Sequence, residues 1–386
     1  STLHFCDCIP FDTVLLHGTV RDEIGRKMSK SLGNSPDPID IIDTVGADAL
    51  RFSMIFNTPK GADVAYSDAM LEGGRNFANK IWNAWRFITM NISSIEGLPH
   101  TDELQLELAD RWILSRLQEV IRDVAQHYEN LRLNDAASAI FQFMWDEYCS
   151  WYIELAKDRL REDAPAAVRL TAKYILLDVM QSALRLLHPI MPFISEEIWQ
   201  QIKMLMPIPE EFLVVATFPI PDEKIIDPSI DDEMRFMQES ISAIRNLRKQ
   251  INLPPSTSAG IHIRTADTDQ ERLFTDYEAY FARLAKVDSI TAGTSIPKPK
   301  PAVSAVVRNI EIFLPLSGLI DLQAERDRLG KQIEKLEKEL AGISNKLNNQ
   351  NFTANAKPEV VAKEREKHNE VNTRLELTRQ QYQDLV

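Results

Sequence analysis

Apolar residues recur every three or four positions along most of this chain, and that spacing predicts a largely helical protein. Phe77, Ile81, Trp82, Trp85 and Ile88 follow it, as do Leu108, Trp112, Leu114, Leu117 and Ile121. The same spacing continues through Ala137, Ile140, Phe141, Met144, Trp145 and Tyr148, and through Ile175, Val179, Leu184 and Leu187. Residues 67–205 are therefore read as one helical bundle, with breaks at His188-Pro189 and before Pro192. All 6 tryptophans fall in this stretch, and core positions are expected for them.

The pattern changes on either side. Residues 1–66 read as mixed α/β. Val14-Leu15-Leu16-His17-Gly18 predicts a short buried strand, and helices are expected over 39–44 and 47–56. Residues 206–231 are rich in proline and read as an ordered connector, with Phe212, Val214, Val215 and Phe218 laid along a surface. Residues 232–317 read as a small α+β domain: a helix over 232–251, strand alternation at Ile261-His262-Ile263, a helix over 269–285, a strand over 288–292, and a closing segment over 303–314. From 318 to 386 the period tightens. Leu322, Leu329, Ile333, Leu336, Leu340, Ile343 and Leu347 form a heptad seam. A polar break at 348–356 is followed by Pro358 and a weaker seam through Val361, Glu364, His368, Val371, Leu375, Thr378, Tyr382 and Leu385. Two helices of about thirty residues, ~45 Å each, joined by a polar turn predict an antiparallel coiled-coil hairpin. The fold class is thus mainly α, with an α/β segment at one end and a hairpin at the other.

Charge narrows the functional classes. The chain carries 44 basic and 57 acidic residues, a net of −13, so any nucleic-acid contact needs a local basic patch. From Asp321 onward there are 12 basic and 12 acidic residues. The excess acid therefore lies upstream, and the hairpin approaches a phosphate backbone more easily. Only 3 cysteines occur, Cys6, Cys8 and Cys149, which fits a reducing cytoplasm and no disulfide framework. The Cys6 and Cys8 spacing is shorter than a zinc knuckle, so no metal site is expected. No apolar run has the length of a membrane span. The first residue is Ser1, and the chain is expected to start within a larger gene product.

The candidate chemistry lies in a loop. Lys27 and Lys30 stand three apart between Gly25 and Gly33, with Ser29 and Ser31 beside them. Flanking glycines permit movement, and two ammonium groups can close on a polyphosphate together. That suits nucleotidyl transfer, in which charge builds on departing pyrophosphate. By composition alone, a Lys/Ser loop of this kind is usually just solvated surface.

The surrounding words decide between these. Gly25-Arg26-Lys27-Met28-Ser29-Lys30-Ser31-Leu32-Gly33-Asn34 resembles the second signature of the class I aminoacyl-tRNA synthetases. Gly46-Ala47-Asp48-Ala49-Leu50-Arg51-Phe52 follows at the matching distance. Gly74-Arg75-Asn76-Phe77-Ala78-Asn79-Lys80-Ile81-Trp82-Asn83 and the stretch from His188 to Trp199 resemble the anticodon-binding bundle of the valine, isoleucine and leucine branch. Ile244-Arg245-Asn246-Leu247-Arg248 with Pro254-Pro255-Ser256, and the terminal hairpin, are most similar to the valine members. The absence of cysteine after Cys149 sets the chain apart from the isoleucine members, which end in a cysteine-rich zinc module.

The resemblance implies a ligase that joins valine to tRNA(Val) through valyl-adenylate, using ATP and Mg²⁺. It assigns Lys27, Met28, Ser29, Lys30 and Ser31 to ATP, with Lys30 leading and Lys27 beside it. It assigns tRNA contacts to Asn76, Asn83 and Arg86 on the bundle and to Lys335, Lys338 and Lys346 on the hairpin. Asp48 and Arg51 are expected to brace the helix after the loop rather than to touch substrate. No His-x-Gly-His element is present, and His17-Gly18 is not one. This polypeptide by itself is therefore expected not to aminoacylate. A cytoplasmic monomer is the expected form. The alternatives are a stand-alone tRNA-binding or assembly module, or the isoleucine or leucine enzyme of the same branch.

Overall fold

The structure, a computed structural model, describes residues 2–92, 104–319, 321–349 and 358–384. It divides into two compact units, Ser1–Met234 and Arg235–Val386.

The first unit opens with a short helix α1 (Thr2–Cys6) and a small parallel pairing of β1 (Val20–Arg21) with β2 (Val64–Ala65). The strand expected at 14–18 does not form: Val14 and Leu16 are exposed, and pairing begins only at Val20. An apolar run becomes a strand only where a neighbour takes its backbone hydrogen bonds, and among the described residues the run has none. Helices α2 (Pro38–Val45) and α3 (Ala47–Phe56) fall where expected. Asp37 caps α2 by accepting from the Ile39 amide at 2.8 Å, and Pro38 fills its first position. Gly46, at φ 91°, makes the corner between the two helices.

The bundle follows: α4 (Asp68–Asn91), α5 (Leu108–Glu129), α6 (Leu133–Gln142), α7 (Ile153–Ala156), α8 (Ala166–Leu187) and α9 (Pro192–Ile202). Between α6 and α7 the chain widens into a π-helical stretch, Phe143–Tyr152. Phe77, Trp85, Phe143, Tyr148, Tyr152 and Trp199 are fully buried, each worth about 1.5–3 kcal/mol of apolar burial. Trp82 departs from the expected core position: it lies on the outer side of α4, 36% exposed. The stripe that reaches the core is Phe77, Ile81, Ala84, Trp85 and Ile88, and Trp82 lies beside it.

Gly74 lets α4 cross α3 closely. A β-carbon there would lie 2.4 Å from Ser53 Oγ and 2.5 Å from the Ala49 carbonyl. Deep in the bundle, Arg159 donates to both carboxylate oxygens of fully buried Asp110, at 2.5 and 2.7 Å, and Tyr152 Oη donates to the same group at 2.7 Å. The connector is pinned to α9 by Gln200 and Lys203, which donate to the Glu211 carbonyl at 2.7 and 2.8 Å. It buries Leu213, while Phe212, Val214 and Val215 stay exposed, contrary to the expected surface packing. The short 3₁₀ turn at Leu213–Val215 rotates those three side chains outward.

The second unit starts within α10 (Pro228–Gln250) and contains one four-stranded sheet of order β4-β3-β6-β5. Strand β3 (Ala259–Arg264) pairs parallel with β4 (Val287–Gly293) and antiparallel with β6 (Ile310–Pro315), which pairs with β5 (Ala302–Val307). Ala259, Ile261 and Ile263 face the core in strict alternation. The single helix expected over 269–285 is two, α11 (Thr268–Asp276) and α12 (Glu278–Ala285), broken at Tyr277. The closing segment is a hairpin that turns at Arg308, whose φ is 50°. Arg248 donates to the Pro254 and Thr257 carbonyls at 3.1 and 2.6 Å, and Arg245 to the Leu284 carbonyl at 2.7 Å. These two arginines fasten the loops around the end of α10.

The chain ends in α13 (Leu322–Asn348) and α14 (Pro358–Asp384), packed antiparallel. Leu336 and Ile343 meet Val371 and Leu375, with Ile333, Leu340 and Leu347 packed around them. Lys367 bridges Glu339 at 3.4 Å, Arg379 bridges Glu337 at 2.7 Å, and Lys346 bridges Glu364. The heptad seam is thus closed within one chain. Leu385 and the residues of the hairpin turn lie outside the described residues.

Candidate lysine loop and nucleic-acid interface

The lysine loop grows from the end of β1. Arg21 bridges Lys27 across a tight reversal, in which the Asp22 amide donates to the Arg26 carbonyl at 2.9 Å. Gly25 holds the reversal at φ 82°. Ser29 then caps a single 3₁₀ turn, Lys30–Leu32, by accepting from the Leu32 amide at 3.3 Å, and Gly33 ends it at φ 64°. Asn34 laces the loop shut at its base. Its carbonyl oxygen accepts from the Ser29 amide at 2.9 Å, and its amide donates to Asp22 Oδ2 at 2.9 Å and to the Lys27 carbonyl at 3.3 Å. The Asn34 hydrogen bond is the main reason that the Asp22 carboxyl is held down to about 2, with Arg26 contributing through its backbone, side chain and charge.

Asn34 has no role in the sequence pattern, and its place directly after Gly33 in a loop was the available signal. The result of this lacing is a hydrogen-bonded base and an open crest. Lys27, Lys30 and Ser31 are exposed, while Met28 and Ser29 are half-buried. Among the described residues, no carboxylate pairs with Lys27 or Lys30. Both ammonium groups are available to an anion.

The loop's module is gripped by the bundle through the motif that follows it. Asp48, buried on α3, accepts from the Phe193 and Ile194 amides at 3.2 and 2.6 Å. These are orphan donors in the first turn of α9, so Asp48 caps a helix that lies 145 residues away in sequence. Arg51, one turn further on, donates to the Pro189 and Ile190 carbonyls at 3.0 Å each. The two motifs, 46–52 and 188–199, are therefore halves of one clamp. Asp48 and Arg51 were expected to brace the helix after the loop; their hydrogen bonds go instead to the start of α9 and the two carbonyls before it. Burial pushes the Asp48 carboxyl up, against the pull of the two amides.

On α4, Asn76, Asn79, Asn83 and Arg86 are exposed at three- and four-residue spacing, with Arg75 and Trp82 beside them. Asn76, Asn83 and Arg86 thus lie along one solvent-facing strip. On the hairpin, Lys331, Lys335 and Lys338 share the face of α13 opposite the seam, and all three are exposed. Lys346 differs, because it is engaged by Glu364 across the hairpin. No group of three His, Cys, Asp or Glu side chains converges as a metal site among the described residues. No described helix is long and apolar enough to cross a membrane.

Three family models match this chain in order. Residues 1–67 match the class I tRNA synthetases for isoleucine, leucine, methionine and valine. Residues 110–263 match the anticodon-binding domain of tRNA ligases, and residues 321–386 match the valyl tRNA synthetase tRNA-binding arm. The first match places the module that carries the lysine loop among the class I tRNA synthetases. Among curated proteins, valine–tRNA ligase of Fusobacterium nucleatum is 41% identical over 360 residues, covering 92% of this chain and 40% of its own length. The Enterococcus faecalis and Syntrophotalea carbinolica valine–tRNA ligases are 40% and 38% identical over 95% and 100% of this chain. The chain belongs to the valine–tRNA ligase family, and it spans about 40% of the length of these relatives. A solved LeuRS–tRNA–LeuAMS ternary complex from Agrobacterium radiobacter, 27% identical over 55% of this chain and 24% of its own, superposes at a TM-score of 0.43.

Proposed function

We propose that this chain is the part of a valine–tRNA ligase that holds tRNA(Val) and supplies the lysine wall of the ATP site. In the complete reaction, valine's carboxylate attacks the α-phosphorus of ATP and pyrophosphate leaves; a hydroxyl of the tRNA 3′ adenosine then attacks the carbonyl of valyl-adenylate, takes the valyl group as an ester and releases AMP. Lys30 and Lys27 act on the first step by meeting the charge that builds on the leaving pyrophosphate. Met28, Ser29 and Ser31 shape the crest that carries them. The residues fit that role because both ammonium groups are exposed, free of carboxylate partners among the described residues, and carried on a base locked by Asn34. Mg²⁺ enters this reading as the companion of the ATP phosphates.

The α4 strip with Asn76, Asn83 and Arg86, and the outer face of α13 with Lys335 and Lys338, are read as tRNA surfaces. Lys346 is the weaker candidate, since Glu364 already neutralises it. The protein works as a monomer in this reading, because the hairpin seam is filled by its own second helix. The observation that carries the proposal is the presence, in one chain, of the clamped lysine loop and the valine-family arm.

The test is tRNA(Val) binding across a salt series. Binding with a clear salt slope is expected. Replacing both Lys335 and Lys338 with alanine lowers the slope by about two, at roughly 0.9 per phosphate contact. An unchanged slope removes the hairpin from the interface. In a full-length enzyme, Lys30→Ala is expected to cut valine-dependent ATP–pyrophosphate exchange while tRNA affinity holds. Unchanged exchange favours a tRNA-binding module that makes no use of the loop. Measurable exchange by this chain alone refutes the reading that it needs the rest of the catalytic domain.

A further inference from the structure

A cleft of about 500 Å³ lies where the segment before β2 meets the end of α5, lined by Lys60, Gln126, His127, Asn130 and Arg132. Lys60 comes from the lysine-loop module, and the other four come from the bundle. In a chain with 57 acidic residues and a net charge of −13, none of the five is a carboxylate. Leu131, at φ 55°, turns the chain between α5 and α6, and both of its neighbours line the cleft. Lys60 Nζ donates to the Asn130 carbonyl at 3.2 Å, which ties the two modules and leaves N–H groups to spare. Arg132 bridges Asp135 through Nε at 2.5 Å, and its terminal nitrogens make no hydrogen bond among the described residues. His127 is half-buried, and its ring makes none either among the described residues.

We propose that this cleft binds a ligand carrying two or more phosphate groups, which it grips from both modules at once. The Arg132 fork meets two oxygens of one phosphate, and Lys60 adds a point charge on a flexible stem. His127 and Gln126 supply further donors. The carbonyl end of α5 lies beside the cleft and counts against an anion. That end is largely spent, because the Asn130, Leu131 and Arg132 amides fold back onto the Gln126, Tyr128 and His127 carbonyls at 3.1, 3.0 and 2.8 Å. Of the nearby carboxylates, Glu129 does not line the cleft, and Asp135 is held by Arg132 and Asn134. The volume exceeds what one phosphate fills and falls within the ~300–1,000 Å³ of small-ligand sites. An apolar ligand would leave this wholly polar lining unpaired, which is costly once water is excluded. The phosphates belong either to a free polyphosphate such as inorganic pyrophosphate or to the backbone of the bound tRNA. Only the second source rests on the tRNA-binding reading above.

The test titrates inorganic pyrophosphate by calorimetry into this chain carrying Lys27→Ala and Lys30→Ala, so that the lysine loop takes no part. Saturable binding is expected, and adding Lys60→Ala or Arg132→Ala is expected to weaken it roughly tenfold. In parallel, the wild-type chain and the two single variants are bound to a tRNA(Val) transcript over a salt series. If RNA supplies the phosphates, each substitution lowers the slope by about one, at roughly 0.9 per contact. Arg132→Lys, which keeps the charge, is expected to keep the slope. Both side chains are exposed, so the thermal midpoint is expected to move little. Weakened pyrophosphate binding with an unchanged slope assigns the cleft to a free polyphosphate, and a reduced slope assigns it to RNA. If Lys60→Ala and Arg132→Ala change neither pyrophosphate affinity nor slope, the proposal is overturned. Pyrophosphate binding at the cleft by a chain that does not bind tRNA supports the cleft and refutes the tRNA reading, so the two failures are distinguishable.

Discussion

Replacing Asp48 with alanine removes the cap that one module places on another. The carboxylate accepts two amides of α9, at 3.2 and 2.6 Å, and Arg51 holds the carbonyls just before that helix. Two hydrogen bonds to a charged group have a gross worth of ~1.5–3 kcal/mol each. Desolvation offsets part of this, since burial already pushes the Asp48 carboxyl upward. The net loss is expected near the top of the range for a lost cap, about 2 kcal/mol. For a unit of this size that lowers the thermal midpoint by roughly 4–8 °C, at ~2–4 °C per kcal/mol. Hydrogen exchange gives the sharper reading. The Phe193 and Ile194 amides should lose protection in Asp48→Ala, while amides in the middle of α8 keep theirs. Asp48→Asn, which retains one acceptor oxygen, should fall between. Unchanged protection at Phe193 and Ile194 would refute the clamp, whatever happens to the midpoint.

Further outcomes follow from neighbouring contacts. Gly74→Ala places a methyl within 2.5 Å of the Ala49 carbonyl, so α3 and α4 must separate; a loss of about 1–3 kcal/mol is expected in urea unfolding. Asn34→Ala removes the main cause of the low Asp22 value, and an NMR titration should show that carboxyl climbing from about 2 toward 3.8. A lowered folded value stabilises the loop base above the unfolded value and is lost as pH falls through about 2, so the variant should lack that acid transition. Asp231 behaves in the opposite sense. Burial raises it to about 6 despite Arg116 at 3.4 Å, so the folded state binds its proton more tightly than the unfolded chain does. Its contribution is therefore fully present below the unfolded value of 3.8 and is lost as pH rises through about 6. Asp231→Asn should flatten the difference in urea midpoint between pH 5 and pH 7.5, and an unchanged difference would assign it to other groups.

The parts of this fold that were legible in the sequence are those where local pattern and tertiary packing agree. Helix α3 begins at Ala47 and ends at Phe56 as read, because Gly46 stops one helix and permits the next. The seam of α13 was legible for the same reason: Leu336, Leu340 and Ile343 repeat at the interval that a partner helix requires. The failures occur where a residue's partner is remote. Leu15 and Leu16 have the composition of a strand, but a strand needs a neighbour's carbonyls, and the local pattern does not contain them. Trp82 matches the helical spacing of Phe77 and Trp85, yet a turn of 100° per residue puts it on the edge of the stripe, where small differences in angle decide between core and solvent.

The candidate site shows the same division at finer scale. The exposed position of Lys27 and Lys30 was legible because the flanking glycines mark a loop. Asn34 and Asp22 were not, since their work is done by one amide placed between three backbone positions, and no spacing rule encodes that. The pair Asp48 and Arg51 was legible only as a brace. Its partner lies some 140 residues downstream, and the two motifs look unrelated until folding brings a buried carboxylate to the first turn of α9. That junction gives the motif order its physical sense. A lysine loop whose base is laced by Asn34 is carried on a module of its own, and Asp48 with Arg51 is the contact that holds that module to the start of α9.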